Sequence, residues 1–371
     1  MNTSSTPLTP NLWQKLIQNW VSPLRFLLIL IIPLSMWDAV RFGVSSGMPN
    51  FFAFWPLIVN YGFLTVIDYL IGKDKSQPNE DVRNVALYRW IAYATLPAHM
   101  LALWWGLHVF TTVEFNWIGK LGWILSVGAV SGTLAITAAH ELIHKPSKFE
   151  QNLGGILLAS VCYGGFKIEH LYGHHVHVST PRDASSARYG QSVYHFLPRA
   201  VWHNTRNAWK LEAARLQRHK LSQWHNEMLR WNLLSLIFAG LAFALFGLAG
   251  LIFFLAQSVV AFCELEVINY VEHYGLERRK TGNAYERVRP VHSWNSSYRL
   301  MNWFLLNLAR HSDHHANAAR RYQELRHFEE APQLPGGYGA MVVLAMFPPL
   351  WFRVIHPRIP EEAKQVEISA S

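Results

Sequence analysis

The sequence predicts an all-α integral membrane protein with six transmembrane helices and a histidine-rich helical cap on the cytoplasmic face. Three observations lead there. Charged residues make up only 15% of the 371-residue chain and hydrophobic residues 51%, against about 25% charged in a typical soluble domain. The apolar residues come in blocks of about 20, the length that crosses a bilayer core. Nine of the 19 histidines fall in four tight groups beside the ends of those blocks.

Residues 1–22 are polar, with Lys15 as the only charge, and lead into an apolar run with no small-residue cleavage pattern. They read as a cytoplasmic N-terminal segment ahead of a retained first span. Spans are expected at roughly 24–42, 51–71, 88–110 and 121–139, so residues 23–139 supply transmembrane helices 1 to 4. Asp68, near one end of the second, can reach the headgroups. The block from Trp231 to Tyr270 has no charge before Glu264 and would make about 60 Å of helix, twice a bilayer core. Gly247 and Gly250 sit where a tight hairpin would divide it, so residues 231–270 supply helices 5 and 6. Two further apolar stretches, 152–166 and 338–352, are too short to cross. They carry Gly154, Gly155, Gly164 and Gly165, or the pair Pro348-Pro349, and read as interfacial or re-entrant helices.

Charge sets the orientation. With six spans, only Arg41 and Lys120 of the 33 lysines and arginines fall on the far side. That asymmetry places both termini, the 140–230 region and the 271–371 region in the cytoplasm. The net charge of +9 is then a positive-inside bias, and no nucleic-acid partner is expected. The two cysteines, Cys162 and Cys263, lie far apart, which excludes a disulfide framework, a C-x-x-C motif and a fused iron–sulfur knuckle. There is no G-x-G-x-x-G after a strand and no phosphate loop. Any electrons must therefore arrive from a separate protein.

The histidine groups sit where the spans meet the cytoplasm. HELIHK carries His140 and His144, four apart on one helical face, so both rings can grip one metal; Pro146 ends that helix. EHLYGHH supplies His170, His174 and His175, NYVEHYGL supplies His273, and LARHSDHH supplies His311, His314 and His315. Within the triple boxes two rings share a helical face, and the adjacent ring swings toward a neighbouring position, as two metals side by side would require. Nine imidazoles without a thiolate exceed a structural zinc site; they suit iron or copper redox chemistry, and two irons fit the count better than one. Ligating rings normally hand their second N–H to a carboxylate or carbonyl. Glu141, Glu169, Asp183, Glu272 and Asp313 are threaded through the boxes as candidates for that role, and His177 and His292 are the remaining histidines expected nearest the metals.

HE-x-x-HK, EH-x-x-GHH, NY-x-EHYGL and RHSDHHA, in that order, resemble the membrane alkane 1-monooxygenases of the membrane fatty acid desaturase and hydroxylase superfamily. The likeness runs from about residue 50 to 356 and includes TPRDASSARYGQSVY, HSWNSS at 292–297 and RRYQELR. The chain departs from the family pattern at Ile143, where the family has Gly, and at Ala309, where it usually has Gln. The resemblance implies two iron ions held by the nine histidines and dioxygen-dependent hydroxylation of the terminal methyl of medium or long n-alkanes. It also implies electrons from rubredoxin, kept reduced by a rubredoxin reductase, and residence in the bacterial inner membrane. A basic face including Arg278, Arg279, Lys280, Arg320 and Arg321 would favour such an acidic donor. A xylene-type methyl hydroxylase or a fatty acyl desaturase or hydroxylase is the nearest alternative. A histidine-rich metal transporter would place ionisable residues at mid-membrane, where these spans have almost none.

Overall fold

The computed structural model describes residues 21–78 and 84–364. Most of the N-terminal segment expected at 1–22, and the chain beyond 364, lie outside the described residues. The described chain is mostly helical; its one sheet is a two-stranded hairpin pairing Lys280 with Tyr285 and Thr281 with Ala284.

The first apolar block folds as two helices, Ser22–Ile31 and α1 (Leu34–Ser46), bent by 43° at the break containing Pro33, where proline removes a backbone donor. The second runs from Trp55 to Ile71 through a π-helical segment, Ile58–Phe63, into α2 (Leu64–Ile71). Asp68 is buried there and accepts the backbone N–H groups of Leu300 and Met301, so it anchors a later segment instead of reaching headgroups. The 28-residue α3 (Val85–Thr112) follows, then α4 (Trp117–Ser131), which starts where the Asn116 side chain accepts the N–H of Gly119. From α4 the chain continues through a second π segment, Gly132–Ile136, into α5 (Thr137–Ile143).

Two of these continuous helices, Trp117–Ile143 and Glu227–His273, are long and apolar enough to cross a membrane, and the bent first pair makes a third if counted as one span. The outer one is largely unclothed: Leu233, Leu236, Leu241, Leu245, Leu248 and Ile252 are all exposed. An apolar surface that extensive has no place in water and marks a membrane protein.

Between them lie α6 (Lys148–Ala159), α7 (Phe166–Glu169) and α8 (Val193–His219). The long helix, α9 (Glu227–His273), breaks at Gly247, whose φ of 67° is helical in neither half. The chain reverses there: a Cβ on Gly250 would lie 2.7 Å from the carbonyl oxygen of Ala242, eight residues back, whereas eight residues of straight helix rise about 12 Å. Trp231, in the first half, packs on Gly155 and Gly164, and Ser235 donates to the Ala159 carbonyl. In the second half Phe253 meets Gly106, Val260 meets Gly128 and Glu264 meets Gly132. Both ends of α9 thus lie on the side of the histidine boxes, as the expected hairpin requires. Beyond it come the short helices α10 (Arg299–Phe304), α11 (His311–Ala316), α12 (Tyr338–Ala345) and α13 (Pro348–Ile355).

The contact of Gly128 with Val260 leaves no room for a side chain. Gly128→Leu should lower thermal stability in detergent by about 1–3 kcal/mol, the usual cost of overpacking. Gly240→Ala, which points into open space on the outside of α9, should cost nothing. Equal melting temperatures for Gly128→Leu and the unmodified protein would show that the α4–α9 contact is loose.

Candidate metal centre

The four boxes converge into two groups of histidines. His140, His144, His170, His175 and His314 form one; His174, His273, His311 and His315 form the other, and within each the ligand atoms all lie within 4.8 Å of one another. All nine histidines expected from the sequence are present in these groups, and no other histidine joins them among the described residues.

Local helix geometry decides which ring goes where. His140 and His144, on α5 and its C-cap, share a face and a group. In the second box the turn His170–His174 is π-helical, with the N–H of His175 on the carbonyl of His170. An i→i+5 turn aligns residues five apart, so His170 pairs with His175, and His174 is turned into the other group. The expectation that residues four apart would share a face fails here for that reason. The fourth box is an ordinary helix: His311 and His315 share a group and His314 faces the other.

Contacts distant in sequence clamp the fourth box onto the first. Lys145 Nζ donates to the Arg320 carbonyl at 2.8 Å, Arg321 pairs with Glu150 at 3.0 Å, and Tyr322 donates from its ring hydroxyl to the Tyr88 carbonyl. Arg310 donates to the carbonyls of Leu325 and Asp74. Three arginines of the expected basic docking face are thereby consumed: Arg320 pairs with Asp313, Arg321 with Glu150, and Arg278 is buried and donates to the carbonyls of Val176 and Glu286. Only Arg279 and Lys280 of that face remain exposed.

The rings fit metal ions. Successive Nε2 atoms are 3.0 Å apart for His144–His170, 3.1 Å for His170–His175 and 3.2 Å for His175–His314 in the first group. In the second they are 3.2 Å for His174–His315, 2.8 Å for His311–His315 and 3.1 Å for His273–His311. Donors about 2.1 Å from a shared ion and at right angles around it stand about 3.0 Å apart. Burial, followed by the neighbouring rings, lowers the pKa of His144, His170, His175, His311, His314 and His315 well below the usual histidine value. Their lone pairs are therefore free at neutral pH. Burial lowers His174 too, but the Asp183 carboxylate outweighs it and raises this ring instead.

Of the five threaded carboxylates, two touch the rings. Asp183 Oδ2 lies 3.0 Å from His174 Nδ1, behind the ring, and is itself held by the hydroxyl of Ser186 at 2.6 Å. Glu272 Oε2 lies 3.2 Å from His311 Nε2, on the ligand side, while Tyr338 donates to its other oxygen at 2.8 Å. The other three bond to groups outside the two histidine groups: Glu141 pairs with Lys145, Glu169 accepts from Asn207, and Asp313 accepts from Arg320 and Asn317. His292 faces Glu286, while the following Ser293 lies 3.5 Å from His273 Nδ1.

An apolar cavity runs up to the centre. Its upper end touches His140 and Glu272; Ile136, Leu265, Ile268, Leu305 and Leu308 line its walls, and Glu264 closes its lower end. A second, smaller cavity continues past Glu264, between Asn60, Tyr61, Leu64, Phe304 and Val342. The walls of the larger cavity come from the stretch Gly132–His140, the second half of α9, Leu305, Leu308 and Tyr338, while residues of the first two apolar blocks, Ile32, Asn60, Tyr61 and Leu64, line only the smaller one; their spacing carries no signal distinguishing cavity lining from core.

The fatty acid desaturase family model matches residues 115–345. The chain is 51% identical to alkane 1-monooxygenase 2 of Pseudomonas aeruginosa over 89% of its own length and 89% of that protein's. It is 49% identical to alkane 1-monooxygenase 2 of Alcanivorax borkumensis over 89% and 88% of the two chains. A more distant likeness, 31% identity over 63% of each chain, is to the hydroxylase component of a Pseudomonas putida xylene/toluene monooxygenase.

Removing the support behind His174 should loosen one group and spare the other. Asp183→Ala should weaken metal retention by the four-histidine group about 10- to 100-fold, read as earlier loss of half the bound metal on titration with a chelator. Retention identical to the unmodified protein would remove Asp183 from the site.

Proposed function

The chain belongs to the family of the alkane 1-monooxygenases, within the fatty acid desaturase family, and on that footing we propose that it hydroxylates the terminal methyl of medium or long n-alkanes to 1-alkanols. The observation that carries this reading is the apolar cavity ending on His140 beside two buried histidine groups. The nine histidines are assigned as ligands of two iron ions, His140, His144, His170, His175 and His314 to one and His174, His273, His311 and His315 to the other. Imidazole-rich, thiolate-free coordination suits iron, which when bound supplies the activation of dioxygen. The reaction consumes one alkane, one dioxygen, two electrons and two protons, and yields one alcohol and one water.

The chain's own residues select and hold the substrate. An alkane offers no polar handle, so its binding energy comes from burying CH2 groups against Ile136, Leu265, Ile268, Leu305 and Leu308, about 0.8 kcal/mol for each group. Along one wall the cavity runs from Glu272 to Glu264, eight residues of helix or about 12 Å. Those walls also keep water from the reacting end. Among the described residues Glu272, fixed by Tyr338, is the one acid that stands beside both cavity and histidine groups.

Six spans are assigned, at 24–42, 51–71, 88–110, 121–139 and the two halves of 231–270. They leave the N-terminal segment, the 140–230 region and the 271–371 region on the cytoplasmic side of a bacterial inner membrane. Rubredoxin, reduced by its reductase, is the proposed electron donor, since no nicotinamide-binding motif occurs in the chain.

The test is metal content and turnover on the same preparation. Protein purified in detergent should hold about two irons per chain, by the histidine count. Supplied with rubredoxin, its reductase, NADH and n-alkanes, it should form 1-alkanol, and His140→Ala or His314→Ala should abolish both iron and product. Two irons with benzyl alcohols from xylenes and no alkanol would move the substrate to the aromatic class. Stoichiometric zinc, with harmless histidine changes, would sink the reading.

A further inference from the structure

On the outside of the four-histidine group lies a polar basin that the hydroxylation reading does not use. Arg182, Arg188, Arg199, His203, Arg206 and Lys210 ring it, and Glu169, Asp183 and Asn207 form its floor. Arg182, Arg188, His203, Arg206 and Lys210 are exposed. Among the described residues Arg182, Arg188, Arg206 and Lys210 have no carboxylate within ion-pair reach; other exposed cations of the cap, Arg218, Arg279, Lys280, Arg287 and Arg326, are also unpaired, but only here do four such side chains surround one cavity.

The helix α8 explains how these charges come together. Arg199, His203, Arg206 and Lys210 are spaced four, three and four apart, which puts them on one stripe. Phe196, Ala200, Asn204, Ala208 and Glu212 form the buried stripe on another side. Exposed Trp202 and Trp209, seven apart, make a third, of the kind that sits at a membrane–water interface. With the tryptophans at the bilayer surface, the cationic stripe faces the water beside it. Keeping that many like charges together costs stability, and an acidic partner would repay it and be steered toward the basin.

We propose that this basin is the docking surface for a small acidic one-electron carrier protein, and that electrons enter through Asp183 and His174. The proposal rests on the monooxygenase reading, which requires an external donor, and it moves the donor away from the Arg279–Lys280 hairpin. Asp183 lies on the basin floor and bonds His174 Nδ1 at 3.0 Å. One carboxylate thus separates a docked carrier from His174, itself a member of the four-histidine group. The carrier is oxidised by one electron at each docking, and two dockings supply the two electrons of one hydroxylation.

The experiment compares Arg206→Glu/Lys210→Glu with Arg279→Glu/Lys280→Glu, both carrying their iron, in nanodiscs of neutral lipid, using rubredoxin as the carrier. Calorimetry at low salt should show the first variant binding at least tenfold more weakly, while the second binds as the unmodified protein does. High salt should weaken binding to the unmodified protein toward that of the first variant, because the attraction is screened. In turnover the first variant should show a raised KM for the carrier with kcat preserved, and its iron should be reduced by dithionite with a small mediator at the unmodified rate. Weakening confined to the hairpin variant would overturn the proposal. So would unchanged carrier binding in the basin variant, including the case where that variant instead loses affinity for phosphatidylglycerol vesicles and the basin proves to be a lipid site. If the unmodified protein makes alkanol with a different donor and never binds rubredoxin, the carrier class falls while the hydroxylase reading stands; absence of iron and product altogether removes both.

Discussion

Neutral imidazoles crowded together in a buried site, with their lone pairs turned toward one another, need cations between them. Unpaired acceptors are costly to bury, and here Nε2 atoms stand 2.8–3.2 Å apart in two clusters. Much of the local architecture serves that convergence. The π turn at His170–His174 sends neighbouring rings to opposite groups, and a second π segment at Gly132–Ile136 leads directly into the helix carrying His140 and His144. Widened helical turns of this kind are uncommon and gather at functional sites. Their role in the second box is visible in which rings they bring together.

The convergence also dictates how the cap is braced. The fourth box lies more than 160 residues from the first, so it must be held there by contacts of its own. Lys145 with the Arg320 carbonyl, Arg321 with Glu150 and Tyr322 with the Tyr88 carbonyl join the boxes where charge can be buried in pairs. Breaking one partner of such a pair strands the other in a dry interior. The arginines that sequence composition alone would assign to a partner surface are therefore partly structural, while Arg182, Arg188, Arg206 and Lys210, free of carboxylates among the described residues, surround one basin beside α8.

The membrane-facing half answers a different demand. Gly106 on α3, and Gly128 and Gly132 on the helix leading into the first box, let the second half of α9 approach closely, as small residues do between helices in lipid. That close approach carries Glu272 and His273 to the metal centre at one end and leaves an apolar cavity along the seam. The same seam thus both holds the ligands and offers the route by which an apolar chain can meet them.

How much of this was legible in the sequence differs from residue to residue. The nine histidines could be read from spacing because metal ligation demands a residue type that apolar blocks do not otherwise gather. The reversal at Gly247 could be read because a 40-residue apolar block exceeds any bilayer. The sharing of the rings between two groups could not: an i, i+4, i+5 spacing is the same string of letters in an α-turn and a π-turn, and only the backbone path decides which ring His170 faces. Nor could the fates of Glu141, Glu169 and Asp313, since a carboxylate beside a histidine in sequence serves whichever cation folding brings nearer. Residue chemistry and periodicity, which act locally, determined the fold class, the metal-binding character and the hairpin. The pairing of rings, the choice of Asp183 and Glu272 as the carboxylates that touch them, and the gathering of Arg182 and Arg188 beside the cations of α8 depend on contacts between distant segments, and those exist only once the chain has packed.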